Sequence, residues 1–572
     1  MGFKIKYIVS AIFILLSLGC FSQNVWYVKP DGDNTKDGTS EANAWKTWGK
    51  ALNSGFVQPG DTVYFLDGEY TKDLTDSTGW YSTNGYEINI DGTQSDTVYF
   101  FAADGATPVL DCSGVGSTSD LNYGIRAGSV NYCYFYGLQL KNVWTGDSND
   151  EALGWSMSGD GIVVENCKVY NTHGFGFRLN ADSNDTIHVI NCDAYNCSDS
   201  LKAVGPGNDG YGFGIWNGGN ENSVVYLTNC RAWLCGDDGF AFYNNGKIVV
   251  SGCWSFNNGQ LEGAGNGFKL GFIPGGTYAD TLRHVSECIA AGNDCSGFNL
   301  NDNSYDAIRG YYVNNLSYRN GYSEEYPYSA VGYRVYNTSS SDAEENKRVF
   351  KNNVSYANED GDIAVSANAL YTHEYNSWDD PPDITVASGD FIDLPADSAA
   401  IMTLMSAARD SDGSLPDLGD YFKPSSESQL IDAGTDVGYG DDIGAFQYEA
   451  QNPAVNPTVV TGQIYNISKT GARVIGNTTD DGGGDVSQKG VCWSESENPD
   501  TGDNKTEEGA GAGTFNSVIT GLTENTTYHV RAYATNEAGT AYGADQEFKT
   551  LKSGYVSNLS NIIWHNGKII YY

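Results

Sequence analysis

The central part of the chain repeats a short segment in which a glycine is followed by alternating large apolar and small or polar residues. The three clearest copies are 209–213, 238–242 and 266–270. Each copy follows a segment that contains a cysteine and ends in an aromatic residue. A unit that recurs every roughly 20–50 residues is typical of a solenoid. The alternation predicts a short strand with one buried face, in which Phe240 and Phe242 point inward and Ala241 points outward.

Stacking such units predicts an all-β protein built as a parallel β-helix with capping helices. Apolar residues at helical spacing in Trp45–Leu52 predict a helix that covers the first coil, because solenoid ends must be covered. A second helix is expected in Ser398–Arg409, with Asp397 as its N-cap. We expect the segment Ser388–Glu449 to cover the far end, so that the β-helix domain comprises residues 23–449.

A second, smaller domain is expected after a proline-containing linker at 450–456. Residues 457–550 contain several short strands and predict a small β-sandwich. The stretch Leu522–Tyr533 resembles the tyrosine-corner strand of fibronectin type III domains, in which the tyrosine hydroxyl bonds back to the backbone. Residues 551–572 are left unassigned.

The charge and the amino terminus limit where the chain works and what it binds. The net charge is −40, from 72 acidic and 32 basic residues, which argues against nucleic acid or anionic membranes as partners. Residues 1–22 are typical of an export signal, with two lysines before a short apolar run. Cys20 only weakly resembles a lipidation site, so we favour a secreted, soluble monomer over a lipid-anchored one. No other stretch is apolar for long enough to predict a membrane span.

Twelve cysteines in an exported chain would suit disulfides, but their spacing favours another interpretation. Five of them occupy the same place in successive units, at gaps of 25, 38, 23 and 35 residues. These five are Cys167, Cys192, Cys230, Cys253 and Cys288. We therefore expect an internal ladder of small apolar thiols, with disulfides such as Cys230–Cys235 as the alternative.

Stacked coils bring distant polar residues to one outer face. Asp209 is expected on one coil, Asp237 and Asp238 on the next, and Lys269 on the one after, with coils about 4.8 Å apart. Carboxylates are the usual ligands of calcium, so the three aspartates are candidate metal ligands. The alternative is that they are solvated turn residues, because aspartate before glycine is common in turns.

Lys269 is the candidate Brønsted base. Alone, an outward lysine is more often a solvated charge, but a neighbouring calcium would lower its pKa by repulsion between like charges. Calcium would also polarise a bound uronate carboxylate and so acidify the C5 proton. Removal of that proton, followed by loss of the C4 substituent, would cleave the polysaccharide by β-elimination.

Other chemistries have less support in the sequence. The six histidines are scattered without a zinc motif, and no serine-hydrolase elbow is present. Asp237 and Asp238 could serve as the carboxylate pair of a glycoside hydrolase. Adjacent residues of a strand point to opposite faces, however, which makes them a poor acid–base couple.

These residues resemble those of the family 9 polysaccharide lyases, the pectate lyase and rhamnogalacturonan lyase group. The resemblance covers roughly residues 25–449 and is carried by four motifs. They are Tyr27–Gly32, Asp237–Phe240, Gly265–Gly271 and Asp412–Pro416. It implies a right-handed parallel β-helix, with Lys269 as base and a calcium held by four aspartates, three of which are Asp209, Asp237 and Asp238.

The chain departs from the family at the fourth aspartate, where Ala241 stands. Loss of a carboxylate implies weaker calcium binding or a water in its place. Four arginines are expected near the same face and could bind uronate carboxylates, with ordinary surface arginines as the alternative. They are Arg178, Arg231, Arg309 and Arg334.

The sequence therefore predicts a secreted, calcium-assisted lyase of an acidic, pectin-like polysaccharide, followed by a fibronectin-type module. The alternative is a catalytically silent β-helix that binds glycans or acts as an adhesin. A hydrolase is the third possibility.

Overall fold

The computed structural model describes most of the chain between residues 24 and 552, and two short strands beyond it. The gaps are 53–54, 72–84, 114–121, 145–151, 182–183, 201–205, 217–221, 244–245, 272–281, 303–308, 323–329, 338–346, 368, 370, 381, 436–441, 448–454, 483–485, 553–562, 566–567 and 571–572. The predicted export signal and most of the linker lie outside the described residues. The chain forms two compact units, Met1–Tyr448 and Glu449–Tyr572.

The first unit is a parallel β-helix with three long sheets, and successive coils contribute to each sheet in turn. Sheet 1 has twelve strands: Val25–Val28, Thr62–Phe65, Val98–Ala102, Cys133–Tyr136, Ile162–Glu165, Thr186–Ile190, Val224–Thr228, Lys247–Ser251, Leu282–Ser286, Arg309–Val313, Arg348–Lys351 and Tyr371–Glu374. Sheet 2 has ten: Gly68–Thr71, Pro108–Asp111, Gln139–Lys141, Lys168–Thr172, Asp193–Cys197, Arg231–Trp233, Trp254–Phe256, Ile289–Ala291, Leu316–Tyr318 and Val354–Tyr356. Sheet 3 also has ten: Tyr86–Ile88, Tyr123–Gly128, Ala152–Ser158, Gly174–Asn180, Phe213–Trp216, Phe240–Tyr243, Phe268–Lys269, Phe298–Asp302, Tyr333–Asn337 and Ile363–Val365.

The core consists of ladders in which equivalent residues of successive coils stack. On sheet 3 the rings of Phe177, Phe213, Phe240, Phe268 and Phe298 follow one another at centroid distances of 4.7–4.9 Å. Phe240 and Phe242 are fully buried in this core, as their alternation predicts. Burial of rings along several coils supplies the hydrophobic stabilisation that one coil cannot supply alone.

The cysteine ladder is also confirmed. All five ladder cysteines are free thiols and fully buried. The backbone amide of Cys230 donates to Sγ of Cys253 one coil away, at 3.3 Å. The alternative pair, Cys230 and Cys235, is not bonded.

The amino-terminal helix covers the first coil as expected. A 3₁₀ helix at Glu41–Asn43 precedes an α-helix at Trp48–Leu52. The Trp48 ring packs against Phe65, with ring centroids 4.4 Å apart.

The expectation that residues 388–449 cap the far end is wrong. The described part of this segment lies along the outer face of sheet 2 and includes a 3₁₀ helix at Ser388–Asp390 and the α-helix Ser398–Met405. Ile401 and Met405 pack with Trp254 and Ile289 of that sheet. The reason is that sheet 2 carries large apolar side chains on its outer face as well, and these need a cover. Asp397 caps the helix as predicted, because its carboxylate accepts from the Ala400 amide at 2.8 Å.

The second unit is antiparallel. One sheet contains Thr458–Tyr465, Gly471–Asp480 and Gly513–Thr520, and the other contains Gln488–Ser494, Asn504–Lys505, Thr527–Asn536, Gly539–Tyr542 and Gln546–Lys549. The strands Ile563–His565 and Lys568–Ile570 pair antiparallel in a separate sheet. The Tyr528 hydroxyl accepts from the Thr523 amide at 3.0 Å, which is the contact expected of a tyrosine corner. Among the described residues, no helix has the length and apolar character needed to cross a membrane.

Candidate active site

One row of outward residues crosses sheet 3 from coil to coil. The row consists of Arg126, Ser156, Arg178, Gly214, Ala241, Lys269, Asn299 and Arg334, each the register partner of the next. Since neighbouring strands are about 4.8 Å apart, Lys269 lies about 10 Å from Arg334 and about 14 Å from Arg178 along the row. The row therefore places Lys269 between cations on either side.

Lys269 meets the aspartate pair that the sequence places one coil earlier. Its Nζ lies 3.0 Å from Oδ2 of Asp238 and 4.0 Å from Oδ2 of Asp237. The Lys269 side chain is 14% exposed, whereas both aspartates are buried. The structure brings the amine against two of the three carboxylates, on a side chain that keeps a small exposed area.

The turn before the Lys269 strand holds both carboxylates in place. Oδ1 of Asp237 accepts from the Ala264 amide at 2.7 Å. Oδ1 of Asp238 accepts from the backbone and side-chain amides of Asn266, at 3.0 and 2.7 Å. Asn266 in turn accepts from Asn299 on the next coil at 3.0 Å. These bonds leave both Oδ2 atoms directed at Lys269.

The charges of this cluster are strongly coupled. Burial, together with the neighbouring carboxylate of Asp238, raises the pKa of Asp237 to about 7. Burial alone would lower the pKa of Lys269, but the carboxylates of Asp238 and Asp237 outweigh it and hold that pKa well above its usual value. Two carboxylates thus compete for one ammonium, and Asp237 carries only part of its negative charge near pH 7.

Asp209 lies one coil before the pair, and its side chain is partly exposed. Its neighbour Gly210 accepts the Asp237 amide at 2.9 Å, so the two turns are in contact. Across the described part of the chain, no three His, Cys, Asp or Glu side chains converge on a common point as a preassembled metal site. The ligand role of Asp209 remains a prediction.

Ala241 stands next to Lys269 in the row but is fully buried. It belongs to an outer aromatic cluster with Tyr211 and Phe175, against which Trp216 and Tyr243 pack. The Phe175 ring lies over Gly214, where an added Cβ would come within 2.3 Å of it. The cluster thus covers the position at which the family resemblance places the fourth aspartate.

Two of the four predicted arginines lie on the row. Arg178 stands over the Phe175 ring, with its guanidinium carbon 5.7 Å from the ring centroid. Arg334 lies two strands beyond Lys269. Arg126 was missed by the sequence analysis, although it lies on the same row and its strand could have been aligned with that of Arg178.

The other two arginines lie elsewhere, so the expectation that they share this face is wrong. Arg231 is on sheet 2 and is buried against the covering segment, where it pairs with both carboxylate oxygens of Asp193 at 2.8 and 2.9 Å. Its Nη1 donates to the carbonyls of Met405 and Ala407. Arg309 is on sheet 1 and donates to the Tyr311 hydroxyl at 2.9 Å. Arg231 is therefore engaged in the protein interior, and Arg309 lies on a different sheet from Lys269.

Comparison with known proteins agrees with this architecture. Pectate lyase L of Dickeya dadantii (strain 3937) is 30% identical over 448 residues, which cover 76% of this chain and 92% of that protein. Pectate lyase L of Dickeya chrysanthemi is 29% identical over the same length. The crystal structure of pectate lyase Pel9A superposes with a TM-score of 0.58 at 28% identity, covering 75% of this chain and 98% of that structure. The family description "Pel9A-like, right handed beta helix region" matches residues 26–346. The chain therefore belongs to the Pel9A-like right-handed β-helix family.

Proposed function

We propose that the protein is a secreted polysaccharide lyase that cleaves a uronate-containing, pectin-like polysaccharide by β-elimination. The observation that carries the proposal is the contact of Lys269 with the buried Asp237–Asp238 pair on the outer face of sheet 3. Two relatives at about 30% identity bear the name pectate lyase L, and this chain covers 92% of their length.

Lys269 is the group that removes the C5 proton. Its Nζ lies beside the carboxylates on a partly exposed side chain, and an amine is a suitable base only in its neutral form. While the ammonium is paired with Asp238 it keeps its proton, so the reaction requires another cation to take over the carboxylates. This requirement links the base to the metal that the family resemblance implies.

The aspartate pair has the chemistry of a calcium ligand set. It offers buried carboxylate oxygens with uncompensated charge, which hard divalent cations prefer, and Asp237 and Asp238 with Asp209 would hold the ion. Bound there, calcium would neutralise the pair and polarise a uronate carboxylate. Because Ala241 is sealed under aromatic rings, we propose weaker calcium binding than a four-aspartate site gives.

The arginines of the row bind the polysaccharide. A cavity of about 430 Å³ lies between Arg126 and Arg178, with Ser156 and Asn180 on its wall. Guanidinium groups bind carboxylates in a bidentate manner, so successive uronates can lie along sheet 3 across Lys269. Arg334 would hold the chain on the other side of the reacting bond.

The second unit and the amino terminus complete the proposal. Residues 457–550 act as a fibronectin type III-like spacer or adaptor, and residues 1–22 direct export of a monomeric enzyme. A glycan-binding protein without catalysis is the second candidate, because the ion pair seen here keeps Lys269 protonated.

The experiment that separates the two candidates is digestion of polygalacturonate and of rhamnogalacturonan, with calcium and with a chelator. A lyase produces an unsaturated uronate, whose conjugated double bond absorbs ultraviolet light. Calcium-dependent growth of that absorbance supports the proposal. Polymer binding without any new absorbance on either substrate would favour the glycan-binding alternative, and saturated products would identify a hydrolase.

A further inference from the structure

A second cavity, of about 530 Å³, lies beside the ends of the sheet 2 strands and shares no lining residue with the Lys269 cluster. None of the described residues that line it is Asp, Glu, Lys or Arg. In a chain with a net charge of −40, an uncharged cavity of this size stands out. Its ligand is therefore expected to be neutral, unlike the uronates proposed for sheet 3.

An aromatic surface forms one wall of the cavity. Trp144 is 41% exposed although it is a large apolar side chain, and its ring lies 3.8 Å from the His173 ring, centroid to centroid. Leu261, 44% exposed, lies on the rim as well. The exposed face of the Trp144 indole offers apolar contact to a flat ligand. An exposed apolar side chain in a concave site is typical of a binding surface.

The remaining wall offers hydrogen bonds that have no partner within the described residues. Nδ1 of His173 is buried and has no hydrogen-bond partner there. Asn196 donates to Asn171 at 2.7 Å and so continues a ladder of side-chain amides from coil to coil. The ladder ends at Leu234, which follows Trp233 as Asn196 follows Tyr195 and has no side-chain amide to continue it. Uncharged donors and acceptors beside an aromatic ring suit a ligand rich in hydroxyl groups.

We propose that this cavity binds a neutral sugar ring, such as a side-branch residue of the polysaccharide that is cleaved at Lys269. Trp144 stacks on the apolar face of the ring, and the side-chain amide of Asn196 bonds one of its hydroxyl groups. The choice of a side branch rests on the proposed lyase function, whereas the neutral-sugar site does not.

The test is isothermal titration with three neutral trisaccharides, composed of galactose, arabinose or xylose, on the full chain. At least one of them binds the wild type, and Trp144→Ala weakens its Kd about tenfold because the stacking surface is lost. Trp144→Phe keeps a ring and binds within about threefold of the wild type. Tyr322→Ala, which removes an exposed ring outside this cavity, leaves Kd unchanged.

The titration tests the sugar site and the lyase assay tests the proposed function, so one hypothesis can be refuted while the other stands. Wild type and Trp144→Ala are expected to cleave unbranched polygalacturonate at the same rate. If no trisaccharide binds, or if Trp144→Ala binds as tightly as the wild type, the cavity is not a sugar site. If Trp144-dependent binding is found in a protein that cleaves no uronate polymer, the sugar site stands and the proposed lyase function falls.

Discussion

Substitution of Arg231 separates a stabilising role from a substrate-binding one. The side chain is 2% exposed and forms two bonds to Asp193 and two to backbone carbonyls of the covering segment. We predict that Arg231→Ala destabilises the β-helix and leaves KM for the polysaccharide unchanged. Arg178→Ala should instead raise KM and leave the stability unchanged, because Arg178 lines the cavity on sheet 3.

The magnitude follows from the buried pair. Removing one partner of such a pair costs about 3–5 kcal/mol, because the other charge stays buried without compensation. Here Arg409 still lies 2.8 Å from Oδ1 of Asp193, so the lower figure, about 3 kcal/mol, is expected. For a unit of this size each kcal/mol shifts Tm by about 1 °C, which gives a loss of about 3 °C.

The assay is thermal unfolding followed by circular dichroism, with steady-state kinetics on polygalacturonate well below Tm. Arg231→Lys, which keeps the charge but not the bidentate geometry, should fall between wild type and Arg231→Ala. Arg178→Ala should raise KM about tenfold, because one charge-assisted hydrogen bond to the polysaccharide is lost. Its Tm should be unchanged. A raised KM with unchanged Tm in Arg231→Ala would show that Arg231 binds substrate and does not stabilise the β-helix.

Four further predictions concern the site and its surroundings. Lys269→Ala should lower kcat by about 10²–10⁴, as expected for loss of a general base, and Lys269→Arg should be equally slow because a guanidinium does not deprotonate. Treatment with a chelator should abolish cleavage, and added calcium should restore it. Ala241→Asp should lower the free energy of unfolding by about 1–3 kcal/mol, the cost of an unsatisfied buried polar group, without tightening calcium binding measured by titration. Burial lowers the pKa of His173 to about 4, below the value of about 6.5 for an unfolded histidine. The free energy of unfolding should therefore fall as the pH drops from about 6.5 to 4, by at most about 3 kcal/mol for this group. His173→Gln should weaken that pH dependence.

Each of these has a result that would contradict it. An active Lys269→Arg would show that the positive charge matters and proton removal does not. Full activity after exhaustive chelation would exclude the calcium role. Tighter calcium binding by Ala241→Asp would mean that the aromatic cluster opens readily. If wild type and His173→Gln lose stability equally as the pH falls, groups other than His173 control the acid unfolding.

Much of the fold follows from local pattern. The alternation around Phe240 and Phe242 is set by strand geometry, which places successive side chains on opposite faces. The recurrence of the unit aligns equivalent residues on successive coils, which places Lys269 next to Ala241 and one coil from Asp237 and Asp238. The N-cap at Asp397 is similarly local, because a capping side chain reaches only its own first turn.

Two positions that the sequence predicted at an open outer face are covered by another part of the chain. Arg231 alternates as an outward residue should, but the helix Ser398–Met405 packs over its sheet. Ala241 also points outward, and rings from neighbouring coils close over it. Periodicity within a strand determines which way a side chain points, since that depends on backbone geometry alone. Whether the side chain then meets solvent, a sugar or distant protein depends on which segments pack there, and only the tertiary structure decides that.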